Sequence, residues 1–145
     1  MYKKILVPTD GSPKSDLAVQ EGVRLAKALD SEIVVFHVVP EIPAILTPYA
    51  GRMGESVRGI VEELEASGAE ILKNVEVKYG NGGLKLQTRI SRGDAATEIC
   101  NEAREGRYDL IVIGSRGLGE IKGFLLGSVS GRVVRHAGCS VLIIR

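Results

Sequence analysis

The sequence predicts an α/β fold, a three-layer doubly wound sandwich around a five-stranded parallel sheet in the order 3-2-1-4-5. Three observations carry this reading. Five short apolar runs alternate with four helical stretches along the 145 residues. The run EIVVFHVV (32–39) is almost unbrokenly apolar, as in a strand covered on both faces. Two turns rich in special residues, TDGSP after the first strand and GSRGLGEIKGFLLGS after the fourth, become neighbours in that strand order, at the point where it reverses and where such sheets take ligands.

Each element has a local reason. KKILVPT is a short apolar strand, and Ser12-Pro13 then starts a helix, because Ser caps free amides and Pro suits the first helical position. Leu17, Ala18, Leu25, Ala26 and Leu29 recur at roughly helical spacing before the strand EIVVFHVV. From Pro40 to about Gly51 three prolines argue for a loop, and the stretch 40–53 is expected to flank a ligand or a partner subunit. VRGIVEELEASGAEILKNV (57–75) reads as a long amphipathic helix, NGG (81–83) as a turn, and LKLQTRI (84–90) as an alternating, edge-like strand. Asp94 caps a helix reaching about Arg104, and DLIVIG is the fourth strand. Ser128 to about His136 forms a last helix, stopped by Gly138, before the strand SVLII.

Composition narrows the function classes. A chain of this length is expected to form one domain, 1–145. With 44% apolar and 26% charged residues and a formal charge of +1, it has the balance of a soluble protein. No basic stripe points to nucleic acid, and no apolar run approaches the roughly 20 residues that span a bilayer. MYKKILVPTD lacks a signal-peptide layout, so the expected location is the cytoplasm and no membrane contact is expected. Cys100 and Cys139 show no metal-ligand spacing and read as reduced, small apolar residues.

Between Gly114 and Gly127 the chain places five glycines in fourteen residues directly after a buried strand. Glycine there allows positive φ and close approach of a ligand to the main chain, while the amides of the next helix start converge on whatever lies in front of them. Ser128 and Ser130 add hydroxyls in that first turn, which is the chemistry of an anion cradle suited to phosphates. Glycine content alone fits a plain turn with a capped helix equally well. No GxxxxGK[ST] loop is present and no GxGxxG follows the first strand, which disfavours a Walker-type ATPase and a dinucleotide dehydrogenase.

The spacing Gly114-x2-Gly117-x9-Gly127-Ser128, with the opening KKILVPTDGS, the HVV of the second strand and the final VLII, resembles the universal stress protein family in its nucleotide-binding branch. The likeness covers the whole chain. It implies a Rossmann-like or flavodoxin-like domain that binds ATP, with AMP or ADP as alternatives and Mg2+ or Mn2+ carried on the phosphates. It also implies a homodimer, which the short apolar strand SVLII at the sheet edge is expected to form by pairing with its own copy, while the downstream protein partner stays unidentified. By position, Pro8, Thr9 and Asp10 would line the base and ribose, and Val38 would meet adenine through its backbone. Ile113 and Gly114 would lie along the ribose, and Gly117, Gly127, Ser128, Val129 and Ser130 would hold the phosphates.

Arg116 and Lys122 have two readings, contact with the phosphates or solvated loop cations, and the second is the expected one. His37, in a buried strand, and His136, near a helix C-terminus, are expected to be structural. No catalytic residue or protein-bound metal is assigned, because no paired carboxylates or Ser/His/Asp set can be placed together. The expected role is therefore a nucleotide-dependent regulatory or stress-response switch rather than an enzyme, with slow ATP hydrolysis at most. Two alternatives stay open: a dimeric scaffold that works without nucleotide, and an ATP-hydrolysing enzyme of a related α/β fold. TDGSPKS differs from the SGGxDS-type and HxGH-type loops of ATP-pyrophosphatases and adenylyl transferases, which weighs against that enzyme.

Overall fold

The computed structural model describes residues 1–42, 54–117 and 126–145, with side chains in the second helix from 57 onward. Nine elements follow one another: β1 (Lys4–Pro8), α1 (Pro13–Leu29), β2 (Glu32–Pro40), α2 (Gly54–Tyr79), β3 (Leu86–Gly93), α3 (Ala95–Glu105), β4 (Leu110–Gly114), α4 (Ser128–His136) and β5 (Ser140–Ile144). The sheet runs β3-β2-β1-β4-β5 with every neighbouring pair parallel, as the alternation of elements predicts.

The period of two along each strand divides the core into two layers. Ile5 and Val7 of β1, Ile33 and Val35 of β2, and Leu110 and Val112 of β4 pack with Ala18, Val19, Val23 and Ala26 of α1 and Leu72 and Val75 of α2. The intervening residues Leu6, Val34, Phe36, Ile111 and Ile113 pack with Ala96, Ile99 and Ala103 of α3 and Val133 of α4. Ile5, Leu6, Val7, Ile111 and Val112 have no exposed surface, because β1 and β4 are central strands covered on both faces.

Helix starts follow local chemistry. Ser12 caps α1 by accepting from Ser15 N–H at 3.2 Å, with Pro13 next to it as the first helical residue. Asp94 caps α3, accepting from Thr97 N–H at 3.0 Å. In α4, Gly127 is the cap and makes no side-chain cap bond, and Ser128 is the first helical residue. Its end differs from the expected one: Ala137, in extended backbone, closes the helix rather than Gly138.

Three boundaries differ from the expected ones. β3 lies at 86–93 rather than 84–90, because β2 supplies partners from Ile33 through Pro40. Pro40 ends β2 instead of opening a loop, in register with Gly93 and beyond the end of β1, where its missing N–H leaves no ladder bond unmade. α2 begins at Gly54, earlier than the apolar periodicity shows. The remainder of the expected 40–53 loop, residues 43–53, lies outside the described residues.

The sheet opens where its order reverses. β1 stays in register with β2 as far as Pro8↔Phe36, whereas its register with β4 runs only over Ile5↔Leu110 and Leu6↔Ile111. Beyond Leu6 the two central strands no longer share a ladder, and a cleft forms between their carboxyl ends.

Candidate functional site

A cavity of about 240 Å³ occupies that cleft. Of the residues singled out in the sequence, Pro8, Thr9, Asp10, Val38, Ile113, Gly114, Gly117, Ser128, Val129 and Ser130 line it. Gly127 does not line it. It is buried behind the wall, where its N–H donates to Ser115 O at 2.6 Å and ties the start of α4 to the end of β4. Ser15, Phe36, Ala95, Ile99 and Arg116 complete the lining. Arg116 stands half-buried in the cavity wall, and Lys122 lies outside the described residues.

The apolar part of the lining continues the core. Phe36, Ile99 and Ile113 belong to the α3/α4 layer, and Val38 and Val129 pack against it. Nothing in the sequence marks Phe36 or Ile99 as site residues, since an apolar side chain in a strand or on a helix face reads as core. Ala95 was within reach of sequence reasoning, because a cap at Asp94 puts the next residue at an open helix end.

The polar part comes from two turns that meet. In the first, Asp10 Oδ1 accepts from Ser12 N–H at 3.0 Å, Thr9 Oγ1 accepts from Gly11 N–H at 3.3 Å, and the Thr9 and Ser15 hydroxyl oxygens lie 3.1 Å apart. In the second, Gly117 comes so close to Asp10 that a Cβ built on it would overlap Oδ2. The start of α4 closes this end, and its opening amides have no carbonyl one turn earlier within the helix and carry the positive end of the helix dipole. Asp10 and Arg116 are the charged side chains among the described lining residues, so the cavity pairs an acceptor wall with a cation and a helix start.

Of the two uses expected of glycine in the second turn, the described residues show close approach, and Gly119 and Gly123 lie outside them. Gly11 is at φ 79, but Gly114, Gly117 and Gly127 are not among the positive-φ residues, and Gly127 is extended at φ −70 and ψ 172. Close approach keeps the backbone bare here. A Cβ at Gly114 would stand 2.9 Å from the carbonyl carbon and oxygen of Lys14, so this glycine lets β4 and the start of α1 touch.

Ser130 is also reassigned in part. Its buried hydroxyl donates to Ser115 O at 2.8 Å and lies 3.3 Å from Gly127 O, so the donor it can turn to an anion is its main-chain amide. Ser115 O therefore receives both the Gly127 amide and the Ser130 hydroxyl, which fixes the helix start against the sheet.

Elsewhere, His136 Nδ1 donates to Arg132 O at 2.9 Å at the surface. Cys100 and Cys139 are free, half-buried thiols, and burial first of all holds both above their ordinary range. Among the described residues no three His, Cys, Asp or Glu side chains are grouped to hold a metal ion, and no helix is long and apolar enough to cross a membrane.

With this geometry in place, comparison with known proteins decides the family. The whole chain, residues 1–145, matches the family model described as Universal stress protein family. The chain belongs to the universal stress protein family. It is 37% identical over 145 residues to a universal stress protein of Methanocaldococcus jannaschii, covering 100% of this chain and 83% of that one. It is 36% identical over 148 residues to the universal stress protein YxiE of Bacillus subtilis, covering 100% of both. Among solved structures, the universal stress protein UspA from Lactobacillus plantarum superposes with a TM-score of 0.85 at 26% identity, over 99% of this chain and 98% of that one. A universal stress protein in complex with cAMP gives a TM-score of 0.73 at 25% identity, over 99% and 97%. A family member from Arabidopsis thaliana with AMP bound gives 0.70 at 26% identity, over 98% and 90%.

Proposed function

We propose that this universal stress protein binds ATP in the cavity between β1 and β4, and that the bound nucleotide acts as a regulatory signal in the stress response. One observation carries the reading: the Asp10 turn, the Gly117 turn and the start of α4 converge on a cleft whose other wall is apolar. A flat base suits the wall of Phe36, Val38, Ala95, Ile99 and Ile113, Asp10 suits a ligand that brings hydroxyl or amine donors, and the amides opening α4 suit phosphates. Relatives holding AMP and cAMP support an adenine nucleotide as the ligand class. In this reading Mg2+ or Mn2+ rides on the phosphate oxygens, residues 1–145 form one domain, the protein works in the cytoplasm as a homodimer, and a downstream protein partner reads its state.

Calorimetry with ATP, ADP, AMP and cAMP, together with the mass and ultraviolet spectrum of any nucleotide released on denaturation, tests it. Ser128→Ala removes a charge-assisted bond worth about 1.5–3 kcal/mol, roughly tenfold to a hundredfold in affinity. Gly127→Val, at an extended position behind the cavity wall, tests whether the start of α4 must stay where Ser115 O holds it, because a side chain there would shift that helix start away from the phosphates. Both proteins should fold and bind ATP weakly or not at all. Wild-type affinity in both variants, or no adenine nucleotide bound by the wild type, would turn the reading toward a nucleotide-free scaffold. Turnover of roughly 1 per second or faster would make the protein an enzyme.

A further inference from the structure

We propose that His37 is a positioning residue of the cavity, holding the exit of β1 through the Thr9 carbonyl; the proposal rests on the nucleotide reading only for what the cavity binds. Thr9 N–H donates to Phe36 O at 2.8 Å, the last step of the β1–β2 pairing, whose register ends at Pro8↔Phe36. In a parallel ladder the next donor to the Thr9 carbonyl would be the amide two residues beyond Phe36, at Val38. That carbonyl accepts the His37 Nδ1–H at 2.8 Å, and since a carbonyl can only accept, the proton sits on Nδ1. The imidazole thus occupies the acceptor that extension of the ladder would give to Val38, and Val38 lines the cavity instead.

The ring is held from behind by α2. His37 is buried, and a Cβ built on Gly68 would stand 2.6 Å from ring Cδ2 and 2.9 Å from Nε2. Glycine is disfavoured in a helix interior, and here the close approach of α2 to the imidazole requires it. In front of the ring, Thr9 and Asp10 accept the amides of Gly11 and Ser12, so fixing the Thr9 main chain sets the direction of the one acidic side chain among the described lining residues. A histidine that merely filled the core would be replaceable by an apolar side chain of similar bulk with the turn unchanged.

His37→Leu keeps the bulk and removes the donor, while His37→Asn puts an amide N–H close to the place of Nδ1. Two readouts apply: hydrogen exchange at the Gly11 and Ser12 amides in the ligand-free protein, and the Kd for ATP by calorimetry. His37→Leu should speed exchange at both amides and weaken ATP by roughly tenfold, and His37→Asn should restore most of both. A folded His37→Leu protein with wild-type exchange and affinity overturns the proposal. Faster exchange in a protein whose wild type binds no adenine nucleotide upholds the positioning role and removes the nucleotide reading alone. Should His37→Leu not fold, Gly68→Ala, which favours the helix while pressing on the ring, carries the same two expectations, and wild-type values in it overturn the proposal.

Discussion

Replacing Asp94 separates two contributions that the structure superimposes on one carboxylate. The side chain caps α3, accepting from the Thr97 amide at 3.0 Å and its hydroxyl at 2.7 Å, and also takes both Arg132 nitrogens from α4 at 2.9 and 2.8 Å. These bonds, Arg132 first and Thr97 next, hold its pKa far below the ordinary carboxylate range. Both side chains are open to solvent, Arg132 at 43% and Asp94 at 53%, so the ion pair is screened and is worth about 0.5 kcal/mol despite its bidentate geometry. The cap is worth about 1 kcal/mol, and Asn caps almost as well as Asp. Asp94→Asn should therefore cost about 0.5 kcal/mol and Asp94→Ala about 1.5 kcal/mol at neutral pH. For a domain of this size the Ala variant should melt about 4 °C lower. A depressed folded pKa means that the charge-dependent stability is fully present above the unfolded value of 3.8 and is lost as pH falls through the folded value. In urea denaturation the gap between wild type and Asp94→Asn should thus be constant near neutrality and narrow steadily below about pH 4. Equal losses in the Asn and Ala variants would refute the cap, and a gap unchanged in acid would refute the ion pair.

Gly114→Ala should destabilise the fold by about 1–3 kcal/mol, because the new Cβ meets Lys14 and Ser15 main-chain atoms at 2.9–3.2 Å that have no rotamer to escape into; an unchanged urea midpoint would show that β4 and α1 part freely. The two edges of the sheet also differ: β3 is flanked by the pairs Arg89–Glu102 and Arg92–Glu65, whereas β5 carries only Ser140 and the apolar run Val141–Ile144, with Leu142 37% exposed. Sedimentation should give a wild-type dimer that Val141→Pro or Ile143→Lys converts to monomer, and a monomeric wild type at micromolar concentration removes β5 as the dimer edge.

Features that depend on neighbours in sequence were legible, and features that depend on neighbours in space were less so. The caps at Ser12 and Asp94 and the proline after Ser12 act within one turn, so their meaning is local. The strand order followed from the alternation of strands and helices together with the place of the two special turns. Ten of the expected site residues line the cavity because each belongs to a strand end or helix start that this order brings to one place. The end of β3 was not legible, since it is set by how far β2 reaches. Ser130 keeps the expected position but sends its hydroxyl proton to Ser115 O, a carbonyl fifteen residues earlier that no spacing rule reveals. Phe36, Ile99 and Arg116 enter the lining only through the packing of β2, α3 and the turn after β4 around it.

The glycines show how one sequence signal can serve more than one end. An anion cradle and a tight packing contact make the same demand on sequence, which is the absence of a Cβ. At Gly114 that absence admits the main chain of Lys14, and at Gly117 it admits the carboxylate of Asp10. Among the described glycines of the two turns, positive φ is found at Gly11, while Gly119 and Gly123 lie outside the described residues. Because Gly114 and Gly117 are occupied in this way, the two turns are pressed into one wall, and Asp10 is held between Ser12 N–H on one side and Gly117 on the other. Behind that wall His37 fixes the Thr9 carbonyl, and beside it Ser115 O gathers the Gly127 amide and the Ser130 hydroxyl. The helix start of α4 is thus aimed at the cleft between β1 and β4 by the same contacts that close the fold.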